Sequence, residues 1–148
     1  LWRVKAIAEP VVIVRNFPAP IERVFLAWSN AEFLKQWFAL GATWVESAEI
    51  DFRPGGDYRI VVADAEGSNS VFGRYRRITE PTLLEFTWQW QESTFETGIS
   101  LVTIQLQTAE SQTQMTLTHA QLSSELSIER HAFGWDKVLQ RLSLFASA

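Results

Sequence analysis

The chain has 148 residues, 47% hydrophobic, 13% aromatic and 20% charged, which is enough material for one globular domain burying roughly two-thirds of its unfolded surface. Thirteen Lys+Arg against seventeen Asp+Glu give a net charge of -4, so neither nucleic acid nor an anionic membrane surface is expected as a partner. With no cysteine and two histidines, disulfides, thiolate zinc sites and cysteine nucleophiles are excluded, and no metal site is expected.

At the N-terminus, Glu9 and Pro10 break the chain before it takes the form of a signal peptide, and no apolar run approaches the ~18 residues of a spanning helix. A cytoplasmic protein with a single domain over residues 1–148 is therefore expected. Residues 11–17 are β-branched and aromatic and stop at Pro18 and Pro20, which predicts a first strand. Pro20 suits the first turn of a helix, with Glu22 near its positive end and Val24, Phe25 and Trp28 on one face. Asn30 is the expected N-cap of a second short helix carrying Phe33, Leu34, Trp37 and Phe38, with Gly41 as its stop.

From Trp44 to His119 the apolar period becomes two, with breaks at Pro54-Gly55-Gly56, Glu66-Gly67, Glu80-Pro81, near Gly98 and over residues 109–112. Six antiparallel strands are predicted, most clearly where Leu84, Phe86, Trp88 and Trp90 alternate with Glu85, Thr87 and Gln89. In the strand around Arg74, Arg76 and Arg77, Tyr75 and Ile78 face inward together only if a bulge intervenes. After Ser123-Ser124, residues Ile128, His131, Ala132, Trp135, Val138, Leu139, Leu142 and Phe145 form one stripe of a long C-terminal helix.

The fold class that follows is α+β: a curved seven-stranded antiparallel sheet wrapped around the long helix, with two short helices after the first strand. Seven Trp and ten Phe are more readily arranged around a cavity than close-packed without voids, the alternative being a solid aromatic core.

Several strings resemble the family of activators of heat-shock-protein-90 ATPase homologues, within the START-like (SRPBCC) superfamily that includes polyketide cyclase-like and Bet v 1-like proteins. They are the run from Phe17 to Phe25 with Ala27-Trp28, the run from Asp51 to Arg59 containing Arg53-Pro54-Gly55-Gly56, Gly73-Arg74-Tyr75, Leu84 to Trp88, Thr116 to His119, and His131 with Gly134-Trp135. The resemblance spans about residues 11–145 and implies a helix-grip fold with a hydrophobic cavity between helix and sheet. In the superfamily that cavity binds lipids, hormones or polyketides and in some members catalyses cyclisation or dehydration. The family takes its name from eukaryotic co-chaperones that carry an additional N-terminal domain, which this chain is expected to lack.

The residues by themselves point to few chemical groups. Pro54-Gly55-Gly56 reads as a tight reversal; phosphate cradling, the alternative, would require a helix N-terminus next to it. His119 is in phase with Met115 and Leu117, and His131 lies on the helix stripe, so both imidazoles are expected inside. There they serve as hydrogen-bonded core groups, as a polar handle for a ligand, or as an acid/base. Glu46 shares the phase of Trp44, Ala48, Ile50 and Phe52, which makes it either an inward carboxylate or a solvated rim residue. Arg74, Arg76 and Arg77 form a basic cluster interleaved with Phe72 and Tyr75, read as a solvated strand face with cross-strand ion pairs. Phe133 and Leu144 lie off the main helix stripe, as a homodimer contact or packed beneath the first strand.

The expected activity is binding of a small hydrophobic or aromatic molecule, without a cofactor. Lining is expected from Trp37, Phe38, Trp44, Phe52, Tyr58, Phe86, Trp88, His131, Trp135 and Leu139. The alternatives are a cyclase- or dehydratase-type enzyme using His131, Glu46 or His119, and a module acting on a chaperone partner.

Overall fold

The computed structural model describes residues 9–96 and 98–147. The chain runs β1 (Val11–Phe17), α1 (Ile21–Ser29), α2 (Ala31–Trp37), β2 (Trp44–Ile50), β3 (Asp57–Ala63), β4 (Ser68–Thr79), β5 (Leu83–Trp90), β6 (Ser100–Ala109), β7 (Gln112–Ala120) and α3 (Glu125–Ser147). The strands form one seven-stranded sheet in the order β1-β7-β6-β5-β4-β3-β2, every neighbouring pair antiparallel. This is the helix-grip arrangement: β2 to β7 pair in chain order, β1 joins the far edge beside β7, and α3 packs on the inner face.

Local chemistry accounts for the element boundaries. The Asn30 side chain accepts the Phe33 N–H at 3.1 Å, so one residue closes α1 and caps α2 as expected. At the start of α3 the Ser124 hydroxyl oxygen accepts the Ser127 N–H at 3.1 Å. Strict alternation along β5, β6 and β7 buries Leu84, Phe86, Trp88, Val102, Ile104, Leu106, Met115, Leu117 and His119. From α3, Trp135, Val138, Leu139 and Leu142 complete the same core.

Two glycine sites mark close backbone approaches. At the β2–β3 reversal Gly55 has φ +86°, and a Cβ on Gly56 would lie 1.9 Å from the Asp51 carbonyl oxygen. The predicted turn is therefore obligatory in its glycines, and a strand, not a helix, follows it. In β4, a Cβ on Gly73 would lie 2.0 Å from the Thr87 carbonyl oxygen.

Two bulges decide which side chains face the core. In β4 the register jumps between Tyr75 and Arg77, inserting one residue, so Tyr75 is buried and Ile78 packs against the core as well. In β2 a second register shift falls between Val45 and Ser47, and this one corrects the expected phase. Glu46 is the extra residue, Val45 takes the inward position, and Trp44 is 51% exposed. Glu46 is exposed on the surface, which removes it as an inward carboxylate.

The outer face of the sheet is laced by cross-strand pairs. Arg74 Nε reaches Asp57 at 3.0 Å, and Arg77 donates twice to Glu85, at 3.1 and 2.9 Å. The Arg77 hydrogen bond holds the Glu85 carboxyl below its usual pKa, opposed by burial and assisted by the Thr103 hydroxyl. Phe133 and Leu144 are both exposed rather than packed beneath β1, with the Lys137 ammonium 5.4 Å from the Phe133 ring centre.

Candidate functional site

The sheet's inner face and α3 meet around aromatic rings that close the core at one end and leave it open at the other. Near α1, Trp28 packs against Trp37 with ring centres 4.8 Å apart, and Trp37 is fully buried with its indole N–H donated to the Ala27 carbonyl. Toward the N-terminal half of α3 the packing opens into a cavity of about 580 Å³, within the range of small-molecule sites. Its inner wall carries Phe38, Trp88, Trp90, Phe95, His131, Trp135 and Val138. Its rim carries Thr43, Asp64, Asn69, Glu92, Ser93 and Arg130, with the Arg130 guanidinium 5.6 Å from the Phe95 ring centre.

His131 lies in this wall and His119 directly behind it, with ring centres 4.8 Å apart. His131 Nε2 accepts two indole N–H donors, Trp88 Nε1 and Trp90 Nε1, each at 3.2 Å. Its proton is therefore on Nδ1, which donates to the Ser127 carbonyl one helical turn back at 2.8 Å. His119 has the opposite tautomer. Its Nδ1 accepts Trp135 Nε1–H at 3.0 Å, leaving Nε2–H to donate to the Ser100 hydroxyl at 2.8 Å, which in turn donates to the Trp88 carbonyl.

Burial pushes the His119 pKa well below its usual value, and the neighbouring His131 pushes it further. Burial also lowers His131, against the raising effects of its bond to Ser127 and of Glu96. Both rings are neutral at pH 7, and their ring nitrogens are all engaged.

Glu96 anchors this network from the β5–β6 loop. Its carboxylate accepts the Ser127 hydroxyl, the Ser123 N–H at 2.9 Å and the Gly98 N–H at 3.1 Å. Burial alone would raise its pKa, but these hydrogen bonds outweigh it and hold the group below the usual carboxylate value. A charge at the first turn of α3 also suits the helix dipole. The loop is thus tied to the helix through the residue that precedes His131 by one turn.

The expected lining residues divide among four places. Phe38, Trp88, His131 and Trp135 face the 580 Å³ cavity. Tyr58 and Phe86 face a much smaller internal void, which Phe38 and Trp88 also line. Trp37 and Leu139 belong to the closed core, and Phe52 is half-buried between Phe25 and Tyr75. Trp44 lies outside, displaced by the β2 bulge. The Tyr58 hydroxyl, expected to orient a ligand, donates instead to the Thr87 carbonyl at 2.6 Å.

Trp90, Phe95, Glu96, Arg130 and Gly134 are site residues that sequence reasoning missed. Trp90 continues the β5 alternation and Gly134 adjoins Trp135, so both carried a signal; Glu96 lies in an aperiodic loop and carried none. Among the described residues, no group of three or more His, Asp or Glu is placed to hold a metal ion, and no helix is long and apolar enough to cross a membrane.

A family model described as Activator of Hsp90 ATPase homolog 1-like protein matches residues 18–146. A search of the curated proteins finds no match. Among solved structures, the chain is similar to an uncharacterized protein from Rhizobium leguminosarum, with 30% identity over 93% of each chain and a TM-score of 0.81. It shares its fold with the AHSA1 protein from Silicibacter pomeroyi, with 24% identity over 91% of this chain and 95% of that one and a TM-score of 0.81. CalU16 from Micromonospora echinospora has the same fold, with 23% identity over 93% of this chain and 76% of that one and a TM-score of 0.72.

Proposed function

The chain belongs to the Activator of Hsp90 ATPase homolog 1-like family, and we propose that it binds a small, predominantly apolar or aromatic molecule in the cavity between α3 and the sheet. The observation that carries this reading is the cavity wall. Rigid aromatic rings supply area at low entropic cost, while the polar side chains other than His131 stand at the rim, so a ligand buries its body and leaves a polar end near Arg130, Asn69 and Glu92.

The same geometry supports binding rather than proton transfer. His131, the titratable group in the wall, already accepts two indole protons at Nε2, and an indole would have to leave before that nitrogen took a substrate proton. His119 is fully buried.

Gly134 supplies the test, because it lies in the cavity wall on α3 and a Cβ built there meets nothing closer than Leu40 Cδ2 at 3.9 Å. A Gly134→Phe substitution projects a ring into the cavity. The fluorescent dye 1-anilinonaphthalene-8-sulfonate is expected to bind wild-type protein saturably at one site and to raise its melting temperature by mass action. In Gly134→Phe, with its far-UV circular dichroism unchanged, both effects should vanish. Dye binding of equal strength in the two proteins would place the site elsewhere and sink the proposal.

A further inference from the structure

The outward side of α3 is accounted for neither by the core nor by the cavity. Leu126, Phe133 and Leu144 stand on it at 47%, 53% and 73% exposure, on a helix whose opposite side buries His131, Trp135 and Leu142. Leu144 follows Leu126 by eighteen residues, five whole turns at about 3.6 residues each, so both lie on one line along the helix. Phe133 and Lys137 fall within about 20° of that line. A surface helix ordinarily carries polar groups there, and three large apolar side chains in one row point to a covering partner.

The row has a two-fold symmetry that selects the partner. Leu126 and Leu144 each lie nine residues from Trp135, one on either side, and Phe133 and Lys137 each lie two residues from it. A second copy of α3 laid antiparallel on the first, with the dyad at the level of Trp135, sets Leu126 against Leu144 of the other copy at both ends, about 14 Å from the centre. The same placement sets Phe133 against Lys137 of the other copy on both sides of the dyad. The Lys137 ammonium already lies 5.4 Å from the ring centre of its own Phe133, and the second copy supplies a further cation–aromatic contact. On one shoulder of the row, Glu129 comes opposite Gln140 of the other copy, an acceptor against a donor. On the other shoulder Arg130 and Arg141 would approach each other, but both are turned away, Arg130 to the Phe95 ring centre at 5.6 Å and Arg141 to the Gly41 carbonyl at 2.6 Å.

Parallel pairing lacks these matches. It stacks Lys137 on Lys137 and sets the two helix dipoles side by side in the same direction. A lipid surface fits no better, because the apolar row is one residue wide, contains Lys137, is bordered by Glu129, and belongs to a chain of net charge -4.

We infer that the outward face of α3 is the interface of a two-fold symmetric homodimer, in which two α3 helices pair antiparallel about Trp135. One helix face against its copy is at the low end of the roughly 1,200–2,000 Å² buried by specific interfaces, so the dimer dissociates on the order of 10–100 μM.

The chain contains no cysteine, so introduced thiols report this geometry without background. Leu126→Cys and Leu144→Cys proteins, mixed and oxidised with diamide, should give a disulfide-linked dimer. Either variant oxidised alone should give several-fold less, because its two thiols lie about 27 Å apart across the dyad, far beyond disulfide reach. In sedimentation velocity, wild-type protein should shift from monomer to dimer between about 5 and 500 μM. Phe133→Lys, which faces Lys137 of the other copy, should weaken association at least tenfold, and Phe133→Glu, which offers that ammonium a carboxylate, should weaken it much less. Wild-type protein that stays monomeric at about 500 μM, cross-linking of either single variant as readily as of the mixture, or equal weakening by Phe133→Lys and Phe133→Glu overturns the inference.

Discussion

His131→Leu removes one acceptor that two indole donors share, which makes its cost calculable from the surroundings. Trp88 is 4% exposed, so its N–H finds no water once Nε2 is gone and carries the full penalty of an unmade buried bond, about 1–3 kcal/mol. Trp90 is half-buried at the cavity wall, and water entering the 580 Å³ space replaces most of its lost bond, leaving about 0.5 kcal/mol. The Nδ1–H bond to the Ser127 carbonyl is lost as well, about 1 kcal/mol net, and the apolar leucine returns roughly as much through burial.

The expected loss is about 2–3 kcal/mol. Urea denaturation followed by far-UV circular dichroism reads it as a fall in midpoint of about 1 M, with a melting temperature lower by roughly 5–10 °C. His131→Gln, whose amide oxygen offers an acceptor at similar reach, should recover part of the loss. In a Trp88→Phe background, where the buried donor is already absent, His131→Leu should cost about 1–2 kcal/mol less. A loss below about 1 kcal/mol, or one that is unchanged in the Trp88→Phe background, refutes the reasoning that the shared acceptor carries the energy.

Two further outcomes follow from the same network and from the sheet. Because burial depresses both imidazoles below the value of about 6.5 that they have in the unfolded chain, the unfolded state binds more protons in acid, so stability is full above that value and falls as pH drops below it. Unfolding free energy should therefore fall as the pH is lowered from 7.5 to 5.5, with His119 the larger contributor, and depressed Glu96 should add a further loss below about 4.5; a flat profile over pH 7.5–5.5 contradicts the assignment of two neutral histidines. Gly134→Ala should stabilise the protein by about 0.5–1 kcal/mol, since helix propensity improves and the new Cβ has space, whereas Gly73→Ala should cost about 3 kcal/mol because its Cβ would sit 2.0 Å from the Thr87 carbonyl oxygen. Thermal melts of the two variants moving in the same direction would contradict this.

What the sequence by itself determined was whatever depends on near neighbours. The period-two run through Leu84, Phe86 and Trp88 and the stripe through His131, Trp135 and Leu142 each follow from the geometry of a strand or a helix, and the Asn30 cap and the Pro54-Gly55-Gly56 reversal depend on a few adjacent backbone atoms. The β4 bulge was legible too, because Tyr75 and Ile78 conflict in phase within the strand itself. The β2 bulge was not. Trp44, Glu46, Ala48 and Ile50 keep an unbroken alternation, and only pairing against β3 inserts the extra residue and turns Trp44 outward.

The site was decided at the same tertiary level. Inward phase correctly brought His119 and His131 into the core, yet which lone pair faces which indole depends on three elements meeting at 3 Å precision, and Glu96 joins them from a loop with no periodic signal. Ring count alone does not distinguish the closed packing around Trp37 from the open wall at Trp90, because the same kinds of side chain fill space or enclose it according to which neighbours the fold brings against them.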